Sequence, residues 1–253
     1  MEKNEISKNI YFCRFKKNPR HSIGLNVLLI ENGSEALLID TGYEDNFLEL
    51  KKHLDERNIS ITIVVVSHFH PDHIGGLKHL RNADIYGSEF AKYTLKKFNK
   101  EVDQLLPNKI VKDEVVFKFG KHTIKLEKNM GHSKDGILIT VDDRFMYVGD
   151  DMVYSQSGIS IFPFCADQMI ENHILSIEKI YDNYKNKIII PTHGEIIEDQ
   201  DFIKQDLEDR LTYLNYILLH PDCSVEDFKK DTGITFLGKK SHKHNTNKEV
   251  KKW

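Results

Sequence analysis

Cysteine is scarce in this chain: Cys13, Cys165 and Cys223 are the three in 253 residues, far apart and without a CxxC pair. That excludes a disulfide framework and fits a reducing compartment. The six prolines and 14 glycines are scattered, and no Ser-, Gly- or Pro-rich run separates two halves. Without a visible linker, a single domain over residues 1–253 is expected, long enough to bury a sizeable core. Long apolar runs are missing as well. No stretch approaches the roughly 20 apolar residues a membrane helix needs. The opening Met1-Glu2-Lys3-Asn4-Glu5 lacks the apolar segment of a signal peptide. A cytoplasmic protein with no membrane partner is therefore expected. Strong net charge is absent too: at -3, the total points to neither nucleic acid nor an anionic surface.

What is present is a globular composition, 40% hydrophobic and 30% charged, which excludes a disordered chain. Charge is concentrated at one end. From Lys239 to Trp253 six lysines face one glutamate, with His242 and His244 among them. Residues 239–253 read as a basic, solvated tail, and only this tail supports a nucleic-acid partner. Nothing in the sequence sets an oligomeric state or a role for Trp253.

Apolar periodicity predicts the elements. Gly24 to Ile30 and Ala36 to Ile39 flank Glu31-Asn32-Gly33-Ser34 as a hairpin ending at Asp40-Thr41-Gly42. Phe47, Leu50 and Leu54 mark an amphipathic helix over 45–57, and Ile61 to Val66 a buried strand. A short helix is expected from Ile74 to Leu80, and another, capped by Ser88, runs to about Phe98. Strands are expected at Val115–Phe119, Thr123–Leu126, Gly136–Val141 and Arg144–Val148, with Asp142-Asp143 as a turn. A helix near Asp167–Tyr184 and a short strand Lys187–Ile190 follow. Residues 199–238 form a helical C-terminal part, its helix 199–219 burying Phe202, Leu207, Leu211, Leu214 and Leu218.

Chemistry concentrates directly after the Ile61–Val66 strand. His68-Phe69-His70-Pro71-Asp72-His73 places three imidazoles and a carboxylate in six residues. His68 and His70 can reach one cation, and Asp72 and His73 can turn towards a neighbouring one. Neutral imidazole and carboxylate are ordinary ligands of zinc and other borderline divalent metals. Gly75-Gly76 just beyond lets backbone approach closely. Three further candidates, His132, Asp150 and His193, each stand at a strand end or in a turn between strands. A loop held by a buried strand can aim such side chains into one crevice. His173 has no partner legible in the sequence, and His21 reads as a loop residue that could stand near the mouth.

The pattern HxHxDH followed by His, Asp and His resembles the metallo-β-lactamase superfamily over about residues 20–200. The resemblance implies an α/β fold of four layers, αββα, and a site for two divalent metal ions. It assigns His68, His70 and His132 to the first ion and Asp72, His73 and His193 to the second, with Asp150 bridging. Zinc comes first among the metals, while iron and manganese suit the same ligands. Asp40 resembles the family's structural aspartate, and Asn26 an asparagine of its first strand. The expected enzyme is a metal-dependent hydrolase of a small ester, thioester or lactone, attacking with a hydroxide shared by the metals. Asp150 and Asp72 are its catalytic residues, Asp72 also orienting or receiving a proton.

Departures narrow the field within the compact group that includes glyoxalase II-like and lactonase-like hydrolases. Zinc β-lactamases of this pattern place Cys where Asp150 stands, so antibiotic hydrolysis is not expected. Lactonases place a tyrosine where this chain has Val153, with Tyr154 one residue later. Alternatives are a phosphodiesterase or small ribonuclease, a mononuclear iron persulfide dioxygenase, and a non-catalytic metal-binding sensor. Seven ligands argue against the sensor, since a structural zinc site closes with four. Substrate choice is expected to lie with residues 99–112, the loop after Asp150 and the C-terminal part. Phe162, Pro163 and Phe164 could wall a pocket or pack in the core.

Overall fold

The computed structural model describes residues 1–16, 24–99 and 102–246. A hairpin of β1 (Glu2–Ser7) and β2 (Ile10–Phe15) opens the chain. β3 (Leu25–Asn32) pairs with β2 and turns through Gly33, at φ 63°, into β4 (Glu35–Ile39). Helix α1 (Glu44–Asp55) then crosses to β5 (Ser60–Val65), which joins β4 in parallel. β6 (Asp84–Ser88), helix α2 (Ala91–Lys97), the short helix α3 (Val102–Leu105) and β7 (Lys109–Val111) follow. Among the described residues the first sheet has seven strands in the order β1 to β7.

The second sheet is laid down by the meander β8 (Glu114–Phe119), β9 (His122–Lys128), β10 (Ile137–Val141) and β11 (Phe145–Gly149). Helix α4 (Ile170–Asn183) carries the chain back to β12 (Ile188–Pro191), parallel to β11 at the sheet edge. α5 (Gln200–Leu219), α6 (Val225–Thr232) and α7 (Lys239–Thr246) end the described chain.

Period-two alternation sorts the side chains into layers. Leu28 and Ile30 of β3, with Leu37 and Ile39 of β4, meet Ile124, Leu126, Ile139 and Tyr147 between the sheets. The alternate residues Val27, Leu29, Ala36 and Leu38 pack outward on Phe47, Leu50 and Leu54 of α1 and Leu95 of α2. Leu138, Met146 and Val148 of the second sheet pack on Ile177, Ile180, Leu207 and Leu214 of α4 and α5. The result is the expected helix–sheet–sheet–helix sandwich, two mixed sheets flanked by helices.

The structure departs from the expected elements in four places. β1 and β6 go unpredicted because they are short and largely polar, and β7 because it has only three residues, so all three are held by pairing rather than by their own apolar pattern. The β2 strand, though apolar, is likewise added. The helix expected over Ile74–Leu80 is one 3-10 turn, Leu77–His79. On α5 the buried face is rotated from the expected stripe: Phe202 and Leu218 are 39% and 40% exposed, while Ile203, Asp206, Arg210, Tyr213 and Ile217 are buried. The cause is an internal ion pair. Arg210 Nε donates to Asp206 Oδ2 at 2.8 Å, and its other nitrogens reach the carbonyls of Ile161 and Val153, so two charges occupy core positions.

The basic end departs from expectation as well. Lys239–Thr246 is helical, with His242 and Asn245 buried, so these residues are not a solvated tail. Asn245 explains this by bonding the backbone of Pro163 and Cys165. His21 and Trp253 lie outside the described residues.

Candidate metal centre

The site grows from Asp40, fully buried at the end of β4 and holding the left-handed φ of 60°. Its carboxylate accepts from Ser67 N and Ser67 Oγ, both at 2.7 Å, from Tyr147 Oη at 2.9 Å and from His73 Nδ1 at 2.7 Å. It thereby fixes the loop that leaves β5. Because a carboxylate only accepts, His73 donates through Nδ1 and keeps Nε2 as a ligand atom. Where the loop ends, Gly75 N donates to Gly42 O at 2.8 Å, and a Cβ on Gly75 would stand 2.4 Å from Glu44 N. Only glycine permits that approach of the loop to the start of α1.

Among the described residues two groups of side chains could each hold a metal ion: His68, His70 and His132; and Asp72, His73, Asp150 and His193. Within each group the ligand atoms lie within 4.8 Å of one another. All seven candidates from the sequence are therefore brought together. Asp150 stands between the groups. Its Oδ2 lies 3.8 Å from His132 Nε2, while Oδ1 lies 3.6 Å from His73 Nε2 and 3.7 Å from His193 Nε2. Asp72 Oδ2 is 3.5 Å from His193 Nε2, and Asp72 is the more exposed of the two carboxylates.

Two more imidazoles are oriented as His73 is. His132 Nδ1 donates to Phe164 O at 2.8 Å, and His193 Nδ1 to Gly24 O at 2.6 Å, which turns both Nε2 atoms inward. Asn26 serves the same loop: its Nδ2 donates to Pro191 O and Gly194 O on either side of His193. His68 Nε2, His73 Nε2 and Asp150 Oδ1 are buried without a hydrogen-bond partner. A buried polar atom left unpaired costs about 1–3 kcal/mol, and here three converge. This donor set, imidazole and carboxylate with inward lone pairs, fits a pair of divalent cations.

Electrostatics divide the two groups. Burial, followed by neighbouring imidazoles, pushes His68 and His70 well below the ordinary histidine value, and burial also lowers His132. These rings are thus neutral, the form that ligates. Burial pulls His73 and His193 down as well, yet nearby carboxylates outweigh it: Asp40, Asp72 and Asp150 raise His73, and Asp150 and Asp72 raise His193. For Asp72 and Asp150 the balance is reversed. Burial raises both, but the imidazoles beside them win and hold both carboxyls ionised.

Sequence reasoning missed the carboxylates behind the ligand loops. Asp135 Oδ2 accepts from Phe69 N at 2.9 Å, between His68 and His70, and its Oδ1 accepts from Ser133 Oγ beside His132. Asp151 accepts from His132 N and from Asn129 Nδ2, both at 2.7 Å. The only signal was position, since one follows Asp150 directly and the other stands three residues after His132. His173 is buried beside them, with Nδ1 3.4 Å from Cys165 Sγ and Nε2 3.4 Å from Asp151 without a hydrogen bond. Phe162 is core, packed on Tyr213 and Phe236, whereas Phe164 lies against His132.

The tyrosine near the site is not the one the sequence suggested. Tyr154 is fully buried and donates to Asp206 Oδ2 at 2.6 Å, so it does not replace the side chain missing at Val153. Tyr43 instead, at the N-terminus of α1, feels the charges of Asp72 and Asp150. Burial and then those carboxylates push its phenol up to about 12. Tyr43, Pro71, Ile74 and Leu105, with Glu44, Lys78 and Gln104, line a cavity of about 470 Å³ beside the Asp72 loop.

Comparison with known proteins agrees with this geometry. A sequence profile described as the Metallo-beta-lactamase superfamily matches residues 24–193, well over half of the chain. A Drosophila melanogaster protein named "Beta-lactamase-like protein 2 homolog" is 27% identical over 189 residues, covering 70% of this chain and 60% of its own. An Aspergillus fumigatus "Atrochrysone carboxyl ACP thioesterase" is 25% identical over 201 residues, covering 78% of this chain and 59% of its own. The chain thus spans under two thirds of the length of these relatives. In fold it is similar to a metallo-beta-lactamase from Pontibacter korlensis, at a TM-score of 0.69 and 19% identity, over 85% of this chain and 98% of that one.

Proposed function

The chain belongs to the metallo-beta-lactamase superfamily, and from that we propose a hydrolase that works through two divalent metal ions, zinc in the first instance, on a small ester, thioester or lactone. The observation that carries this reading is Asp150, whose two oxygens face the two ligand groups. His68, His70 and His132 would hold one ion, Asp72, His73 and His193 the other, with Asp150 shared. When bound, such a pair supplies Lewis acidity and the means to ionise water near neutral pH.

The chain's own residues do the rest. Asp150 turns one carboxylate oxygen towards each group, and its negative charge would offset two like charges held there. Asp72, with a side chain 22% exposed, is the carboxylate that reaches the mouth, where it can take or pass on a proton at the departing group. Tyr43 keeps its proton and can donate a hydrogen bond on the same side. A thioester is favoured within the proposed class by the thioesterase relative, and a lactone is less favoured because the Tyr154 hydroxyl is engaged by Asp206. Asp150 stands where the resemblance to zinc β-lactamases expects cysteine, which argues against β-lactams.

The test is elemental analysis of untagged protein together with thioester, lactone, phosphodiester and β-lactam panels. Two metal equivalents and thioester turnover are expected. Replacing Asp150→Ala should bring the metal content to one equivalent or less and cut kcat/KM by at least ~100-fold, several kcal/mol of charge stabilisation being lost. Full turnover by the metal-free protein would overturn the reading. One iron per chain with oxygen-dependent consumption of a persulfide would replace it by the dioxygenase alternative.

A further inference from the structure

We infer that the cavity between the start of α1 and the Asp72 loop is a subsite for an uncharged, apolar acyl chain, and that Leu105 with Tyr43 and Ile74 sets the chain length accepted. This rests on the hydrolase reading above and adds the substrate class. The cavity, about 470 Å³, is of the size that small-ligand sites have. One wall is the metal-binding loop itself, because Pro71 stands between His70 and Asp72. The cavity therefore reaches the metal-binding loop one residue from Asp72.

The walls decide what enters. Tyr43, Pro71, Ile74 and Leu105 present mostly carbon, and Gln104 adds one uncharged amide. The two charged groups of the lining cancel: Lys78 Nζ lies 2.8 Å from Glu44 Oε2, and Glu44 Oε1 is 2.9 Å from His79 Nε2. An anionic ligand would have to break this pairing to gain a cation, and a cationic one to gain an anion. Neither sign is favoured, so an apolar chain is. Leu105 comes from α3, inside the segment expected from sequence to govern substrate choice.

N-acetylcysteamine thioesters of acetyl, hexanoyl and octanoyl chains test this on the full, metal-loaded chain. Each methylene buried should raise kcat/KM about fourfold until the cavity is full. Leu105→Trp should lower the octanoyl-to-acetyl ratio of kcat/KM at least tenfold, and Leu105→Ala should raise the ratio by lengthening the cavity. As a readout independent of turnover, octanamide titrated into the metal-free wild type should shift the methyl NMR signals of Ile74 and Leu105. The same titration should leave the Ile74 methyl unmoved in Leu105→Trp. Thioester hydrolysis with one chain-length profile in all three proteins, and unmoved methyls, would overturn the subsite while leaving the hydrolase standing. Turnover of no thioester, ester or lactone would overturn the hydrolase instead, and the methyl shifts would still decide whether the cavity takes an apolar chain.

Discussion

Behind two of the ligand-bearing loops buried carboxylates accept backbone N–H groups: Asp40 behind Ser67 and Asp135 behind Phe69 on the first, and Asp151 behind His132 on the second. Imidazoles aimed at a cation must hold their positions before it arrives, and a backbone tied to a fixed acceptor does this better than a free loop. Burial pushes Asp135 and Asp151 up to about 6, a rise that the hydrogen bonds they accept oppose. Asp135 reaches two loops at once, so it sets the spacing of His68 and His70 against His132. Asp135→Ala is expected to weaken metal binding at that group by about 10–100-fold while the fold persists. Competition with a chromogenic chelator reads this directly, and an unchanged affinity would show that the loops hold themselves.

Elements are pinned to one another by a second kind of contact. Glu31 on β3 receives Lys3 Nζ from β1 at 2.6 Å, and Arg57, just beyond α1, grips both its oxygens at 2.5 and 2.8 Å. Burial raises Glu31, but the bonds from Arg57 and Lys3 outweigh it and hold the group below its ordinary value of 4.5. The sign follows from linkage. A carboxyl depressed in the folded state stabilises fully above its unfolded value, and that stabilisation is lost as pH falls through the folded value. Glu31→Gln should therefore cost about 1–2 kcal/mol at pH 7. The difference from wild type should shrink below about pH 4, where the wild type loses the same interaction. Urea denaturation at pH 7 and pH 3.5 checks both, and a pH-independent difference would point to lost packing instead.

At the scale of the whole molecule, the C-terminal helix supports the site from outside the ligand set. Asn245 of α7 accepts from Cys165 N at 3.0 Å and donates to Pro163 O at 2.7 Å. Between these residues lies Phe164, whose carbonyl orients His132 and whose ring lies tilted against that of His244, centroids 4.4 Å apart. Asn245→Ala leaves a buried carbonyl and N–H unpaired, for about 2–3 kcal/mol or a fall of about 5–10 °C in Tm. It should also weaken metal binding at the His132 group, which a calorimetric titration with zinc would show. A fall in Tm with no change in zinc affinity would mean that α7 supports the core alone. Among the described residues no helix is long and apolar enough to cross a membrane.

The sequence by itself determined what short-range pattern can carry. His68 to His73 announces itself because its members are neighbours on one loop, and the β3–β4 hairpin, α1 and the second-sheet meander follow from period and turn residues. His132, Asp150 and His193 were legible as strand-end polar groups. Their meeting in space needed the resemblance, and then the structure, to be seen. Tertiary structure alone decided which oxygen of Asp150 faces which group, and that Asp135 and Asp151 stand behind the loops. It also turned α5 to bury Asp206 and Arg210, engaged Tyr154 away from the site, and brought Tyr43 and Leu105 to a common cavity. The physical reason is the same throughout. Which partner a side chain meets, from Asp151 and His132 at 19 residues' separation to Asp135 and Phe69 at 66, is chosen by how two sheets and their helices pack, and that choice leaves no periodic trace along the chain.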